Sequence, residues 1–465
     1  MPASLRYDSG TLLLEGTDEQ TIVTIFGQGP WTWDGRVSAW RCEAVYYAAV
    51  RAALRAHPDH QVIDEVPPPP RVGWKQVNLP ELRPEQKQAI EAWQTAGSRG
   101  VVVMPTGTGK TEVALAAMAE ARVSTLVVAP VRDLMYQWHR RILAAFDYDA
   151  GIIGDNTFNL RSITVTTYDS AYIHMPVLGT LFGLVVFDEV HHLPGKCRRE
   201  AALLCVAPLR LGLTATPERS DGRHQDLDQL IGPTVFRMSV AEAKGRTLAD
   251  YNVVRVPVAL IPEEQARYEE ASQQVRLFMM ARQKEQRGYA WEDLCAESGK
   301  DPEARGVQKC YFLMKSIEDR AAEKLRVLED IFRLHAGERV IVFAGSNAMA
   351  RDVSLRFLVP TLLSHSRKNE RLKVLEGFAA HRFPIIVANQ VLDEGVDVPE
   401  AKVAVVIGGH ASTRQAKQRL GRILRRSGQA RATLYEVVCE DTHDVKRSQQ
   451  RRRSDAYGRP RHRRL

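Results

Sequence analysis

The sequence predicts an α/β protein that has two parallel-sheet domains, preceded by a small α+β domain. From residue 82 to about 236, short β-branched runs alternate with helix-length segments, and the same alternation returns after residue 324. This pattern is typical of parallel strands that are joined by helices. A polar, helical-looking stretch at about 262–324 interrupts it. At 465 residues the chain has the length of roughly three domains.

The first 66 residues are predicted to form the small α+β domain. Apolar runs at 12–14 and 22–25 favour strands, and residues 38–56 have the pattern of a helix. Four consecutive prolines follow at 67–70, and they can continue neither a helix nor a strand ladder. We therefore predict a domain boundary there, with an extended Pro-rich linker over 67–80.

The strands of the two larger domains are predicted from their apolar runs. In the first domain, 81–240, these runs are 101–103, 126–129, 163–166, 184–187 and 209–213. In the second domain, 241–445 with the helical insertion, they are 340–343, 361–363, 385–387, 403–407 and 433–438. Because open parallel sheets bind ligands at the carboxyl ends of their strands, polar residues at those ends are candidates for function.

The loop after the first of these strands has the composition of a phosphate-binding loop. Glycines at 107 and 109 allow backbone N–H groups to turn toward phosphate oxygens. Lys110 supplies a cation for the β and γ oxygens, and the Thr111 hydroxyl can ligate Mg²⁺. The predicted nucleotide-binding residues of this loop are Thr106, Gly107, Thr108, Gly109, Lys110 and Thr111.

Two acids follow the apolar strand at 184–187 and complete the predicted site. Asp188 would hold the other side of the metal, and Glu189 would orient the water that attacks the γ-phosphate. A solvated acidic turn is the alternative, and the phosphate loop upstream argues against it. The sequence therefore predicts ATP hydrolysis with Mg²⁺, with Lys110, Asp188 and Glu189 as catalytic residues and with Thr111 and Asp188 on the metal.

Two further motifs of the first domain are candidates for nucleotide recognition and for coupling. Arg83 and Gln86 precede the first strand, and a glutamine amide can read an adenine edge; a plain helix-start glutamine is the alternative. Thr214 and Thr216 end the last strand, where hydroxyls could link His191 of the acidic turn to nucleic acid or to the other domain. A strand-ending turn is the alternative for the threonines.

The second domain contributes cationic and acidic candidates. Arg422 and Arg425 are three residues apart on a predicted helix and share a face, which suits them to reach γ-phosphate oxygens as arginine fingers. Taken alone, they could equally form a solvated face. Asp397, in the acid- and glycine-containing segment 391–399, is a candidate for contact with the ribose or with metal-bound water.

The net charge of +8 resides in the last twenty residues. Residues 446–465 contain nine Lys or Arg and one acid, so residues 1–445 are formally neutral. This basic tail is predicted to be disordered, and it either adds salt-sensitive phosphate affinity or serves solubility alone. The chain has no recognisable targeting or membrane-spanning segment and no clustered cysteines, which predicts a cytoplasmic protein with no metal beyond Mg²⁺.

In their order along the chain, these motifs resemble those of superfamily 2 helicases, in which two RecA-like domains bind ATP between them. The resemblance covers about residues 80–440. Within that superfamily, the Asp-Glu-Val-His box at 188–191 and the segments 390–399 and 418–425 look like the XPB family, especially its shorter archaeal and bacterial forms.

This resemblance implies two RecA-like motor domains, a damage-recognition-like domain at 1–66 and a thumb-like helical insertion at about 262–324. The implied activity is ATP-driven 3′-to-5′ movement on DNA, in repair or related DNA remodelling. Gln418 joins the predicted catalytic residues. The implied partner is single-stranded or forked DNA, and no membrane is expected. Because archaeal relatives work with a nuclease, the resemblance also implies a nuclease or other repair partner.

The predicted nucleic-acid contacts are Arg132, Thr166 and Asn347, chiefly to phosphates. The family's Arg-Glu-Asp element, which is linked to strand opening, aligns with Arg219, Ser220 and Asp221. Because the acid between Arg and Asp is missing, translocation is a safer expectation than vigorous unwinding. Two alternatives stay open: an RNA-remodelling ATPase of the same superfamily, and a DNA-binding scaffold with a vestigial ATP site.

Overall fold

The computed structural model describes residues 3–219, 221–243, 251–363, 366–389, 401–409 and 432–452. The chain divides into two compact units, Met1–Ser239 and Val240–Leu465. The first unit contains the N-terminal domain, the linker and the first parallel sheet. The second contains the helical insertion and the other parallel sheet. None of the described helices is long and apolar enough to cross a membrane.

The N-terminal domain is a five-stranded sheet with two helices. Its strands are β1 (Ala3–Asp8), β2 (Thr11–Glu15), β3 (Thr32–Asp34), β4 (Ala39–Glu43) and β5 (Val62–Asp64), and its helices are α1 (Glu19–Phe26) and α2 (Tyr47–Ala56). The strand order is β3-β4-β2-β1-β5, and only the β1–β5 pair is parallel. Leu5, Leu12 and Leu14 of the sheet pack against Ile22 and Val50 of the helices.

Two predictions for this domain are wrong. The run at 22–25 lies in α1, because the Asp18 side chain accepts the Thr21 N–H at 2.8 Å and caps a helix whose Ile22 and Ile25 face the core. Residues 38–56 are not one helix. Residues 39–43 form β4, because pairing with β2 and β3 on its two sides outweighs local helix propensity, and only 47–56 form α2.

The N-terminal domain packs directly on the first parallel-sheet domain. The Tyr7 hydroxyl lies 2.9 Å from the carbonyl oxygen of Leu204 and 3.2 Å from that of Met175. A side chain at Gly179 would collide with the Tyr7 hydroxyl, so this glycine permits the close approach. Burial raises the pKa of Tyr7 above its ordinary range, which keeps the hydroxyl protonated as a donor.

The Pro-rich linker is extended and lies against the first parallel-sheet domain. Pro70 and Val72 exchange backbone hydrogen bonds with residues beside Val123, at 2.7 and 2.9 Å. The Trp74 ring stacks on Phe146 with centroids 4.0 Å apart, and its indole donates to the Ala119 carbonyl at 3.2 Å. These contacts fix the linker along the domain surface.

The first parallel sheet has eight strands in the order β13-β6-β12-β11-β7-β10-β8-β9, and all neighbours are parallel except β8 and β9. The strands are β6 (Arg99–Val103), β7 (Thr125–Ala129), β8 (Gly151–Gly154), β9 (Thr157–Asn159), β10 (Ile163–Thr167), β11 (Leu184–Asp188), β12 (Leu209–Thr214) and β13 (Thr234–Arg237). The helices are α3 (Pro84–Thr95), α4 (Lys110–Ala121), α5 (Arg132–Phe146), α6 (Tyr168–Leu178), α7 (Glu200–Leu203) and α8 (Leu227–Leu230).

The described residues of the second unit contain a six-stranded sheet in the order β14-β19-β18-β15-β17-β16, and all of its described pairs are parallel. The strands are β14 (Tyr251–Val258), β15 (Val340–Ala344), β16 (Thr361–Leu362), β17 (Ile385–Ala388), β18 (Val403–Ile407) and β19 (Ala432–Cys439). The helices are α9 (Val240–Ala243), α10 (Pro262–Glu285), α11 (Trp291–Glu297), α12 (Pro302–Arg320), α13 (Ala322–Leu334), α14 (Asn347–Phe357), α15 (Lys368–Ala379) and α16 (His443–Arg452). Helices α10, α11 and α12 form the insertion, with a small core around Phe278 and Leu294.

The prediction that disorder begins at residue 446 is wrong for 446–452, which continue α16. Arg447 pairs with the buried Glu318 of α12, and Arg452 pairs with the buried Glu436 of β19 at 3.1 Å. Composition alone did not indicate these partners, because both acids are distant in sequence. Residues 453–465 lie outside the described residues.

Candidate nucleotide-binding site

Three neighbouring strands bring the predicted site together at one edge of the first parallel sheet. Because β6, β12 and β11 are adjacent and parallel, their carboxyl ends meet at that edge. The phosphate loop follows β6, the acidic turn follows β11, and Thr214 at the end of β12 lies between them. The Met104 N–H donates to the Thr214 carbonyl at 3.0 Å, which joins the loop to the central strand.

The phosphate loop has the backbone conformation that its glycines predict. Gly107 and Gly109 have φ angles of 87° and 83°, which residues other than glycine rarely adopt. Helix α4 begins at Lys110, so its first N–H groups lie at the loop, where the helix dipole favours an anion. The Lys110 ammonium donates to the Met104 carbonyl at 3.2 Å.

Gln86 holds the loop in place from α3. Its amide nitrogen donates to the Thr108 carbonyl at 2.9 Å and to that of Gly109 at 3.3 Å, and its oxygen accepts the Arg83 N–H at 2.9 Å. The residue is buried, whereas Arg83 is exposed at the start of α3. Gln86 thus organises the loop within the protein, and adenine recognition by Arg83 and Gln86 stays a prediction.

Asp188 is held from three sides at the end of β11. The Trp138 indole donates to Oδ2 of Asp188 at 2.8 Å, and the Glu189 N–H donates to Oδ1 at 3.0 Å. The Tyr168 hydroxyl donates to the Asp188 carbonyl at 3.0 Å. Burial, and then the charge of Glu189, raise the pKa of Asp188 well above its usual range, while Trp138 and Lys110 oppose that rise.

Trp138 was not predicted from the sequence as a functional residue. An apolar helix residue after a strand is usually core, and Trp138 is separated from Asp188 by 50 positions. The one feature that could have indicated a role is that Trp138 is a large aromatic residue with an N–H donor. It lies on α5, and this helix packs on β7 and β10 beside the site. Only the fold shows that this donor meets the Asp188 carboxylate.

The coupling residues form a buried cluster behind the acidic turn. Glu189 has the left-handed φ of 48°, and its Oε2 lies 3.4 Å from Nδ1 of His191. That ring nitrogen is 2.9 Å from the Thr214 hydroxyl, which accepts the Thr216 N–H at 3.1 Å. The structure therefore brings His191, Thr214 and Thr216 together with Glu189, as a coupling role requires, although the role itself stays a prediction.

The described part of the strand-opening element lies beside this cluster. Arg219 binds Asp221 with two nitrogens, at 2.9 and 2.6 Å, and donates to the His191 carbonyl at 2.7 Å. Hydrogen bonds from Arg219 hold the pKa of Asp221 far below its usual range. The element is thus joined to the acidic turn, and Ser220 lies outside the described residues.

The three predicted nucleic-acid contacts have different surroundings. Thr166 is fully buried and its hydroxyl donates to the Ile153 carbonyl at 2.7 Å. Its hydroxyl is therefore used within the protein, and a nucleic-acid contact by Thr166 stays a prediction. Arg132 is exposed at the start of α5 and pairs with Asp155 at 2.7 Å. Asn347 begins α14 and accepts the Asn389 amide at 3.0 Å, so these two residues stay candidates.

Four predicted site residues of the second unit lie outside the described residues: Asp397, Gln418, Arg422 and Arg425. Their roles stay predictions.

The residues present fit a bound Mg-nucleotide. A side chain at Gly109 would collide with the Gln86 amide, so this glycine permits the close approach by which Gln86 holds the loop. The buried Thr106 hydroxyl has no hydrogen-bond partner among the described residues. Lys110 and the loop N–H groups offer the donors that phosphates need. Thr111 and Asp188 offer the oxygen atoms that Mg²⁺ prefers.

This arrangement defines a class of protein, the phosphate-loop nucleoside triphosphatases that are built on a parallel sheet. Three family models match the chain: "Xeroderma pigmentosum group B helicase damage recognition domain" at 5–66, "Type III restriction enzyme, res subunit" at 79–219, and "ERCC3/RAD25/XPB C-terminal helicase" at 308–454. Each match falls on one part of the organisation described above.

Curated relatives agree with these matches. The chain is 39% identical to the DNA 3′-5′ translocase XPB2 of Sulfurisphaera tokodaii, over 90% of this chain and 95% of that protein. It is 30% identical to the DNA 3′-5′ helicase XPB of Mycobacterium tuberculosis, over 82% of this chain and 64% of that protein. The chain belongs to the XPB family of superfamily 2 helicases.

A solved structure supports the fold. The helicase domain of Pyrococcus furiosus Hef matches with a TM-score of 0.53 at 17% identity, over 79% of this chain and 98% of that one. Together with the parallel sheets, this likeness confirms the predicted α/β fold class with its RecA-like domains.

Proposed function

We propose that this chain is an ATP-dependent DNA translocase and helicase that moves 3′ to 5′ and serves DNA repair or related DNA remodelling. The observation that carries the proposal is that the phosphate loop and the acidic turn lie at the same edge of the sheet. There the charge of Lys110 lowers the pKa of Asp188 against the effect of burial. Family membership supports DNA as the substrate, because the relatives named above are DNA translocases and helicases.

In the proposed cycle, Lys110 and the loop N–H groups bind the β and γ phosphates of ATP. Mg²⁺, when bound, would neutralise phosphate charge, and the Thr111 hydroxyl and the Asp188 carboxylate would hold it. Glu189 would orient the attacking water from its position beside His191. Arg422 and Arg425 would contact the γ-phosphate as arginine fingers, with Gln418 beside them and Asp397 near the ribose.

A change in the bound nucleotide would alter DNA binding through the cluster of Glu189, His191 and Thr214. Because Arg219 donates to the His191 carbonyl, the same change would reach the strand-opening element. DNA, single-stranded or forked, would bind chiefly through phosphates, with Arg132 and Asn347 among the contacts, so sequence preference should be weak. A nuclease or other repair partner and a cytoplasmic place of action complete the proposal.

Substitutions of Lys110 and Arg422 test the hydrolytic site directly. Lys110→Ala should lower ATP turnover by about 100-fold or more, because one preorganised charge at the phosphates is lost. Arg422→Ala should spare ATP binding and lower turnover by about 1,000-fold, the usual effect of losing an arginine finger. DNA-stimulated phosphate release and equilibrium ATP binding measure the two effects.

The exposed Lys87 and Arg333 provide matched controls, since each takes part only in a surface ion pair. Their alanine variants should behave as wild type. Normal turnover in Lys110→Ala would contradict the assignment of the site and favour a DNA-binding scaffold with a vestigial ATP site.

A substrate panel tests the nucleic-acid class. Forked, bubble and single-stranded DNA and matched RNA are compared in one ATPase and strand-displacement assay, since the 2′-OH distinguishes the two polymers. We expect stimulation by DNA and a low ratio of strand displacement to ATP hydrolysis, because Ser220 replaces the family's acid. Stronger stimulation by RNA would overturn the proposed substrate and favour an RNA-remodelling ATPase.

A further inference from the structure

Among the described residues, Trp138 is the side chain that donates a hydrogen bond to the Asp188 carboxylate. Its indole N–H meets Oδ2 at 2.8 Å, and both residues are buried, Trp138 to within 2% of full burial. An indole N–H donates and cannot accept, and it carries no titratable proton in this pH range. The contact therefore fixes the orientation of the carboxylate without competing for the metal.

The hydrogen bonds on Asp188 are divided between its two oxygens. Oδ1 accepts the Glu189 N–H at 3.0 Å and Oδ2 accepts Trp138, so each oxygen keeps a lone pair. The Tyr168 hydroxyl holds the backbone of the same residue at 3.0 Å. With the backbone and both oxygens fixed, the carboxylate cannot rotate freely about its side-chain bonds.

We propose that Trp138 is a positioning residue that holds the Asp188 carboxylate in the orientation needed for Mg²⁺ at the nucleotide site. The inference rests on the proposed ATP-dependent function and adds a specific source of metal affinity to it. Groups that orient a metal-binding side chain commonly contribute about 10- to 100-fold to metal affinity. The indole acts through Asp188 and touches neither nucleotide nor metal.

The chain offers a matched control in Trp93. Its indole also donates a hydrogen bond at 2.8 Å, to the Arg210 carbonyl, and its side chain is also buried to within 2%. Trp93→Phe and Trp138→Phe thus remove the same donor from equally buried sites of the same domain. They differ in whether the acceptor is the metal-side acid.

The test is equilibrium binding of a fluorescent ADP analogue while free Mg²⁺ is raised from an EDTA-buffered start. Trp138→Phe should raise the half-saturating Mg²⁺ concentration by about 10-fold and leave Mg²⁺-free nucleotide binding unchanged. Trp93→Phe should change neither quantity, and thermal unfolding establishes that both variants are folded. Equal Mg²⁺ dependence in Trp138→Phe and wild type would overturn the inference.

A second measurement on the wild-type chain does not need the variant to fold. Tryptophan labelled with ¹⁵N at the indole gives one N–H signal for each of the seven tryptophans. One indole signal should respond to Mg²⁺ in the presence of ADP, and the same signal should broaden most with Mn²⁺. If no indole signal responds, the inference fails; if wild type shows no Mg²⁺-dependent nucleotide binding, the proposed function itself fails.

Discussion

At the scale of the residue, Asp319 illustrates what a buried acid costs when its partners are incomplete. It is 3% exposed near the end of α12, and its Oδ1 has no hydrogen-bond partner among the described residues. A Cβ at Gly408 or at Gly345 would lie 2.7 or 2.8 Å from that oxygen, so both glycines make room for it. Burial raises the pKa of Asp319, and Lys324 opposes the rise.

We predict that Asp319→Asn stabilises the protein at neutral and alkaline pH. The folded-state pKa is raised, so the stability that Asp319 contributes is complete below its unfolded pKa and is lost as pH rises through the folded pKa. The gain from Asn should therefore be about 1 kcal/mol or more near pH 8 and should shrink as pH falls toward about 4.

Thermal unfolding of the full chain between these pH values measures the difference. Asp330→Asn on α13 is the control, because that carboxylate is exposed. A variant at Asp319 that is equally stable or less stable at pH 8 would show that the buried carboxylate is not a burden.

The candidate site also shows how far single residues could be predicted. The sequence indicated Lys110, Asp188 and Glu189 because glycine spacing and a strand-ending acid pair are local signals. It could not show that the Thr166 hydroxyl is buried against the Ile153 carbonyl of β8, because the pairing of β10 with β8 depends on the sheet topology. Trp138 was missed, because its role depends on a partner that only the sheet topology brings near.

At the scale of the element, a buried ion pair fixes the last helix. Nζ of Lys324 in α13 lies 2.9 Å from Oδ2 of Asp444 in α16, and neither side chain is exposed. Burial alone lowers the pKa of Lys324, but Asp444 and other acidic groups outweigh it, so the net direction is upward. The lysine is therefore charged at neutral pH.

We predict that Lys324→Met lowers the free energy of unfolding of the second unit by roughly 3–5 kcal/mol, because it removes the buried cation nearest to the Asp444 carboxylate, at 2.9 Å, and leaves the longer contact with Arg447 at 3.4 Å. Urea unfolding followed by circular dichroism measures the change. The double variant Lys324→Met with Asp444→Asn should recover part of the loss, since the side chain that has lost the lysine is then neutral.

Lys309→Met on α12 is the control, because that lysine is exposed. A loss of the same size in the double variant as in Lys324→Met would assign the effect to packing, and the ion-pair interpretation would be wrong.

Strands and helices were predictable where periodicity and length agreed. The β-branched runs at 340–343 and 403–407 became the central strands β15 and β18, which are buried on both faces. Strand β14 was missed, because Pro257 and alternating polar residues obscure a run whose pairing with β19 lies far along the chain. The run at 22–25 was predicted as a strand from its β-branched residues, but it lies in a helix that the Asp18 side chain caps.

At the scale of the whole molecule, the positive charge of residues 446–465 falls into two groups. Arg447 and Arg452 neutralise buried acids in the second unit. Residues 453–465 contain five further arginines and one acid. Two truncations can therefore separate the arginines that pair with buried acids from those of residues 453–465.

We predict that truncation after Arg452 affects DNA binding alone, and that truncation after Val445 affects stability as well. Ending at 452 should leave the unfolding temperature unchanged and reduce the slope of log K for DNA against log salt by about one to four, because up to four net phosphate contacts are lost. Ending at 445 should also lower stability, because Glu318 and Glu436 then remain buried without their arginines.

DNA binding by fluorescence anisotropy across a salt series, with thermal unfolding of each chain, measures both effects. An unchanged slope in the 452 truncation would assign its last residues to solubility alone, and an unchanged unfolding temperature in the 445 truncation would refute the structural role of α16.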